Sequence, residues 1–337
     1  MLYTTTRTKT DSYTAYRTLT QDRAPDDGFF VPFRLPIFNS QEIAELKKRS
    51  FCENVAQLLD LFFSVKLTGW DIECCIGKIP AKIQTLSHRV LLAEFWHNTD
   101  GTYCHIANNL YHRLCPERSG ASIPEWVHMA IRISLLFGIY GLISNADIKQ
   151  LDIAVNTEGF STPMAAWYAR KMGLPIQMII CASKDNSTAW DLLHRGEMNT
   201  AMLSHSSAAS VVEPVGIERL IYENFGVDEV QKYVNTCSKK GIYQIRPDML
   251  QAISQGVFVS VVSNSRIESV IGSVYRSNQQ LLDPQTAVCY GALQDYRAKI
   301  GESNQTLLLF ESSPAIETEK VQQATGLSVS QIRQMCG

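Results

Sequence analysis

The sequence lacks an excess of either charge: 31 Lys and Arg stand against 33 Asp and Glu, a formal net charge of −2, with no long run of one sign. Without a basic stripe there is no electrostatic footprint for nucleic acid or an anionic membrane, and neither is an expected partner. The nine cysteines lack any CxxC spacing. An odd count argues against a disulfide framework, and without that spacing the usual zinc signature is missing, so no metal site is expected. A reducing, cytoplasmic setting is the simpler reading. The first twenty residues carry Arg7, Lys9 and Arg17 among threonines and tyrosines and have no apolar core, so a secretory signal is not expected. The longest apolar run, Ile133 to Ile143, is broken by Ser134, Gly138 and Gly141 and reads as too short to span a bilayer. Repeats and low-complexity stretches are also missing.

What is present is a globular composition, 45% hydrophobic and 19% charged, over 337 residues. At about 150 residues per domain, that length fits two domains or one large α/β unit. Residues 1–40, rich in Thr and Pro, read as extended chain with turns. From Ser40 onward Ile43, Leu46, Val55, Leu58, Leu59 and Phe62 recur at helical spacing, with Asn39 or Ser40 as N-cap. Residues 88–95 read as a buried strand, 105–114 as a helix, and Pro124 opens a long apolar helix through Tyr140. Leu151–Val155, Ser161–Met172 and Ile176–Cys181 form a βαβ pattern, which predicts a parallel sheet. Helices near 185–195, 216–225 and 265–279, a strand at 257–262, a helix from Pro284 to Ile300, a strand at 306–310 and closing helices complete an α/β reading. Three segments are expected: 1–40, a helical region at 41–114, and a large α/β domain at 115–337.

Several separated motifs resemble threonine synthases. Tyr3-Thr4-Thr5-Thr6-Arg7 and Ala24-Pro25-Asp26-Asp27-Gly28-Phe29-Phe30-Val31-Pro32 are similar to that family's opening. Residues 152–176, Glu218-Arg219-Leu220-Ile221-Tyr222-Glu223 and Leu282-Asp283-Pro284-Gln285-Thr286-Ala287-Val288 resemble further family motifs in the same order. The resemblance implies the parallel-sheet, three-layer core of the fold type II pyridoxal-phosphate enzymes, similar to the tryptophan synthase beta chain. It also implies a lyase of amino-acid biosynthesis, which turns O-phosphohomoserine into threonine and phosphate with the cofactor held as a lysine Schiff base.

Four departures fall where that family touches its cofactor. The resemblance places the lysine segment at Glu94–His105 and the lysine itself at Cys104, and a thiol cannot form a Schiff base. The implied phosphate loop reads Thr157-Glu158-Gly159-Phe160-Ser161, with a carboxylate where a glycine admits the phosphate to a helix N-terminus. Arg113-Leu114 leads to Ile123-Pro124 through a handful of residues, so the family's small domain is expected to be largely missing. A lysine-bearing segment near the cofactor ring is replaced by Glu311-Ser312-Ser313-Pro314-Ala315-Ile316-Glu317. Together the departures imply a threonine-synthase-like pseudoenzyme, a binding or regulatory module, without covalently bound pyridoxal phosphate. The surface bared by the missing lobe is then expected to be apolar and to meet a second copy or another protein. The alternative is an active lyase using Lys66 or Lys78, neither of which has the flanking residues of the family's lysine segment.

Other candidates have plainer readings. Cys104 and His105 can be drawn as nucleophile and base, but neighbours on a helix do not face one another, and a packed, half-buried thiol is expected. His97 is expected to make a structural hydrogen bond, and Cys74-Cys75 to lie in the core at a helix end. His88, His97, His105 and His112 lack ligand spacing. Asp185–Arg195 and Gly120-Ala121-Ser122 can be drawn as anion sites, and Asn186 or Ser187 capping a helix explains the first equally.

Overall fold

In the computed structural model, residues 1–77, 81–97, 102–143, 148, 150–184, 188–200, 215–301 and 304–336 are described. The N-terminal segment forms β1 (Leu2–Thr5), β2 (Tyr13–Thr14), helix α1 (Ala15–Thr20) and β3 (Phe30–Pro32), in a small antiparallel sheet of order β2-β1-β3. Extended chain was expected there; α1 is an addition, and its Ala15, Thr18 and Leu19 are buried. Helices α2 (Ser40–Glu45), α3 (Phe51–Phe63) and α4 (Gly69–Ile76) follow. Each starts on a capping box, Asn39 with Glu42, Ser50 with Glu53 and Thr68 with Asp71, so side chains satisfy the first free N–H groups.

Next come β4 (Lys82–Ser87), β5 (Val90–Glu94), α5 (Tyr103–Leu114) and α6 (Glu125–Ile143). The βαβ unit is β6 (Leu151–Asn156), α7 (Ser161–Lys171) and β7 (Ile176–Ser183). Then follow α8 (Thr188–Arg195), β8 (Glu197–Asn199), α9 (Val215–Phe225), α10 (Val227–Ser238), β9 (Ile242–Gln244), α11 (Pro247–Ser254) and β10 (Val257–Val261). The chain closes with α12 (Asn264–Asn278), α13 (Pro284–Ile300), β11 (Gln305–Phe310), α14 (Thr318–Thr325) and α15 (Val329–Cys336). Only a short 3-10 turn at Pro116–Arg118 lies between α5 and α6.

The main sheet has six strands in the order β10-β7-β6-β11-β5-β4. Five run parallel as the βαβ pattern predicts, and β4 pairs antiparallel with β5 at one edge. Side chains alternate between two buried layers: Ile153, Val155, Ile179, Cys181 and Leu307 face one, and Ala154, Ile180, Ala182, Leu308 and Phe310 the other. The first layer also holds Tyr3, Phe30, Val55 and Trp126, so the N-terminal segment and the helical region share one core with the large sheet.

Helix α6 runs through that layer. It is long and apolar enough to cross a membrane by length and composition, with mean hydropathy 1.6, yet 78% of that window is buried inside the fold. Gly138 lets α3 press against it, since a Cβ there would stand 2.8 Å from the Phe51 ring.

Candidate functional site

A cleft of about 420 Å³ opens at the carboxyl ends of β6 and β11, the place where parallel α/β sheets bind ligands. It is lined by Glu125, His128 and Arg132 of α6, Asn156 at the end of β6, and Ser161 and Thr162 at the start of α7. Gln285 of α13, Glu311 and Ser312 beyond β11, and Glu317 before α14 complete the wall. A recess of about 20 Å³ shares Asn156, Thr162, Gln285 and Glu311 and reaches the buried Cys289, enough for one water.

The acidic groups in this wall are largely engaged. Ser161 Oγ donates to Glu125 Oε1 at 2.6 Å, and the other carboxylate oxygen pairs with the fully buried Arg219 guanidinium. Arg219 Nε donates to the Phe30 carbonyl at 3.2 Å. Arg132 pairs with Glu311 and lies over the Tyr103 ring, 4.2 Å from its centroid. The His128 imidazole, one turn from each of Glu125 and Arg132, makes no hydrogen bond among the described residues, while its backbone N–H donates to the Pro124 carbonyl at 3.1 Å. Burial and then Arg132 hold its imidazole below its ordinary pKa of 6.5, against the pull of Glu125 and Asp22. At the start of α13, the Asp283 carboxylate accepts from the Gln285 and Thr286 N–H groups, and burial pushes it up to about 6.

The segment 157–161 lies where expected, between β6 and α7. Gly159 (φ 61°) and Phe160 (φ 58°) are both left-handed, and the Phe160 N–H donates to the Thr157 carbonyl at 2.9 Å. Thr157 Oγ1 donates to Ser183 Oγ at 3.1 Å. The side chain of Glu158 lies outside the described residues, as do Lys78, residues 98–101 and Asp185–Ser187.

The thiol and imidazoles singled out in the sequence do not join this cleft. Cys104 is exposed rather than half-buried. At the start of α5 it is Tyr103 that turns inward, its N–H donating to the Glu311 carbonyl at 2.7 Å. The next residue, a hundred degrees further round, faces water. His105 is exposed as well. His97 Nδ1 lies 3.4 Å from Glu94 Oε1. Cys74 is exposed on α4 instead of lying in the core. Lys66 sits exposed between α3 and α4, away from the lining. Among the described residues no three His, Cys, Asp or Glu side chains are grouped to hold a metal ion.

Sequence reasoning missed Glu125, His128 and Arg132. Their signal was available: polar residues at i, i+3 and i+7 on an otherwise apolar helix share one face.

Residues 2–79 match the family model described as the threonine synthase N terminus. The match covers about the first quarter of the chain, and there the chain is similar to threonine synthases. Among curated relatives, threonine synthase-like 1 of Homo sapiens is 26% identical over 144 residues, which are 41% of this chain and 19% of that protein. The threonine synthase of Pseudomonas aeruginosa is 27% identical over 192 residues, 54% of this chain and 40% of that one. The chain thus spans between a fifth and two fifths of these relatives' length. In fold it is similar to the pyridoxal-phosphate-bound threonine synthase of Brucella melitensis, with a TM-score of 0.83 at 18% identity over 97% of this chain and 92% of that one. Yeast threonine synthase gives the same TM-score, 0.83, at 16% identity over 98% and 91%. The α/β architecture of the fold type II enzymes is therefore this chain's own.

Proposed function

We propose that this threonine-synthase-like protein no longer performs pyridoxal-phosphate chemistry and acts as a binding or regulatory module through the cleft at the ends of β6 and β11. The observation that carries the reading is the lining itself: among the described residues it offers no lysine, while three glutamates stand round it. A Schiff base needs an amine, and a phosphate dianion needs uncommitted donors. The residues present do not fit the family's cofactor, and no catalytic step is drawn through it. With Asn156, Thr162 and Gln285 in the wall and its glutamates already paired, the cleft suits a small polar ligand held by hydrogen bonds rather than a phosphate.

An absorbance titration with pyridoxal phosphate, followed by borohydride reduction and peptide mass mapping, tests this. No saturable aldimine band is expected. A band trapped on one lysine, with threonine formed from O-phosphohomoserine, would reinstate an active lyase and name its residue. A homodimer or a protein partner remains part of the same proposal, read out by the concentration dependence of molar mass.

A further inference from the structure

We propose that Glu125 is an internal anion seated at the start of α7, and that its carboxylate is what sets this cleft against phosphate-bearing ligands. The start of a long helix gathers free N–H groups and partial positive charge, which favours an anion. Here one is already supplied by the chain. The Glu125 carboxylate accepts from Ser161 Oγ, on the first residue of α7, at 2.6 Å, and its second oxygen meets Arg219. Its own N–H donates to Asp22 Oδ1 at 2.8 Å, which fixes the start of α6 and hence the reach of the side chain.

Arg219 makes this more than a surface pair. The guanidinium is fully buried between the Phe29 and Trp126 rings, at 4.9 and 5.8 Å, and its Nη2 has no hydrogen-bond partner among the described residues. A buried cation in that position must have an anion beside it. With Glu125 present, an incoming phosphate meets a carboxylate at close range and finds the Ser161 hydroxyl already committed. Without it, the guanidinium, the hydroxyl and the first turn of α7 would surround an oxyanion-sized space. The ligand class that Glu125 excludes is thus the tetrahedral oxyanion, free or esterified.

The proposal rests on the reading of the cleft as free of pyridoxal-phosphate chemistry, and its test is separate. Thermal melts are taken in inorganic phosphate and in chloride at matched ionic strength for the wild type, E125Q, E125A and E317Q. Wild type and E317Q, the latter altered at an exposed rim carboxylate paired with Lys320, are expected to melt alike in both salts. E125A is expected to melt roughly 3 °C or more higher in phosphate, and E125Q, which keeps the side-chain volume, to shift in the same direction by less. Should E125A fail to fold, the comparison of E125Q with wild type decides. Variants of Glu125 blind to phosphate would overturn the proposal and leave the reading of the cleft standing. A phosphate response in wild type, or an equal one in E317Q, would also overturn it, because the selectivity would not then reside in Glu125. An aldimine band in wild type would instead overturn the underlying reading.

Discussion

Gly216 and Phe160 are in backbone contact: a Cβ built on Gly216 would lie 2.2 Å from the Phe160 carbonyl oxygen. Helix α9 is thereby pressed onto the segment that leads into α7. Phe160 itself is buried and left-handed, an uncommon conformation for a residue with a side chain. The packing of α9 holds it there.

Gly216→Ala should therefore be costly, because backbone rather than a flexible side-chain tip must give way. A loss of about 2–3 kcal/mol is expected in a urea titration, from overpacking. An unchanged midpoint would mean that α9 does not brace this segment.

His128 sets a pH dependence. Burial and Arg132 lower its pKa in the folded protein below 6.5, so the unfolded chain binds more protons as pH falls through that range. The stability that comes from keeping His128 neutral is present above pH 6.5 and is lost on acidification. His128→Gln should flatten the stability profile as pH falls below 6.5, and a profile that keeps its slope would assign it to another group.

Asp283 acts in the opposite sense. Its carboxyl is raised to about 6 from 3.8, chiefly by burial, so the native state holds the extra proton between those values. This group favours the fold below pH 3.8, and stability declines as pH rises towards 6. The two-unit rise corresponds to at most about 3 kcal/mol. Asp283→Asn, which keeps a helix cap, should remove that decline, and equal pH slopes for variant and wild type between 4 and 6 would contradict it.

Placing an amine at the family's lysine position should not rebuild the site. Cys104 faces solvent at the start of α5, so Cys104→Lys is expected to give no aldimine band with pyridoxal phosphate. In wild type, a maleimide followed by mass mapping should label Cys104 and Cys74 well ahead of the buried Cys181 and Cys289. Slow labelling of Cys104 would show that its thiol is covered.

Much of the architecture was legible in the sequence because it rests on local periodicity and punctuation. The βαβ unit at 151–183 and the α13 helix from Pro284 to Ile300 fall where alternation, helical spacing and proline place them. The short elements were less legible. Helix α1 is held by contacts with distant chain, α3 and α6, rather than by its own propensity; β4 finds its place only by pairing with its sequence neighbour β5 across the His88-Arg89 turn.

The sequence by itself determined that Cys104 stands where the resemblance to threonine synthases places a lysine and that the segment 157–161 carries an acidic residue, since residue types need no coordinates. Only the tertiary structure decided that Cys104 faces water while Tyr103 turns in, and that the cleft is built by α6. It alone brought Thr6 and Arg7 onto Glu218, more than two hundred residues away, and joined Phe30, Arg219, Glu125 and Ser161 into one chain of polar contacts. The reason is physical. A buried guanidinium requires an anion, but which carboxylate supplies it is settled by the packing of helices remote in sequence, and no local pattern encodes that choice.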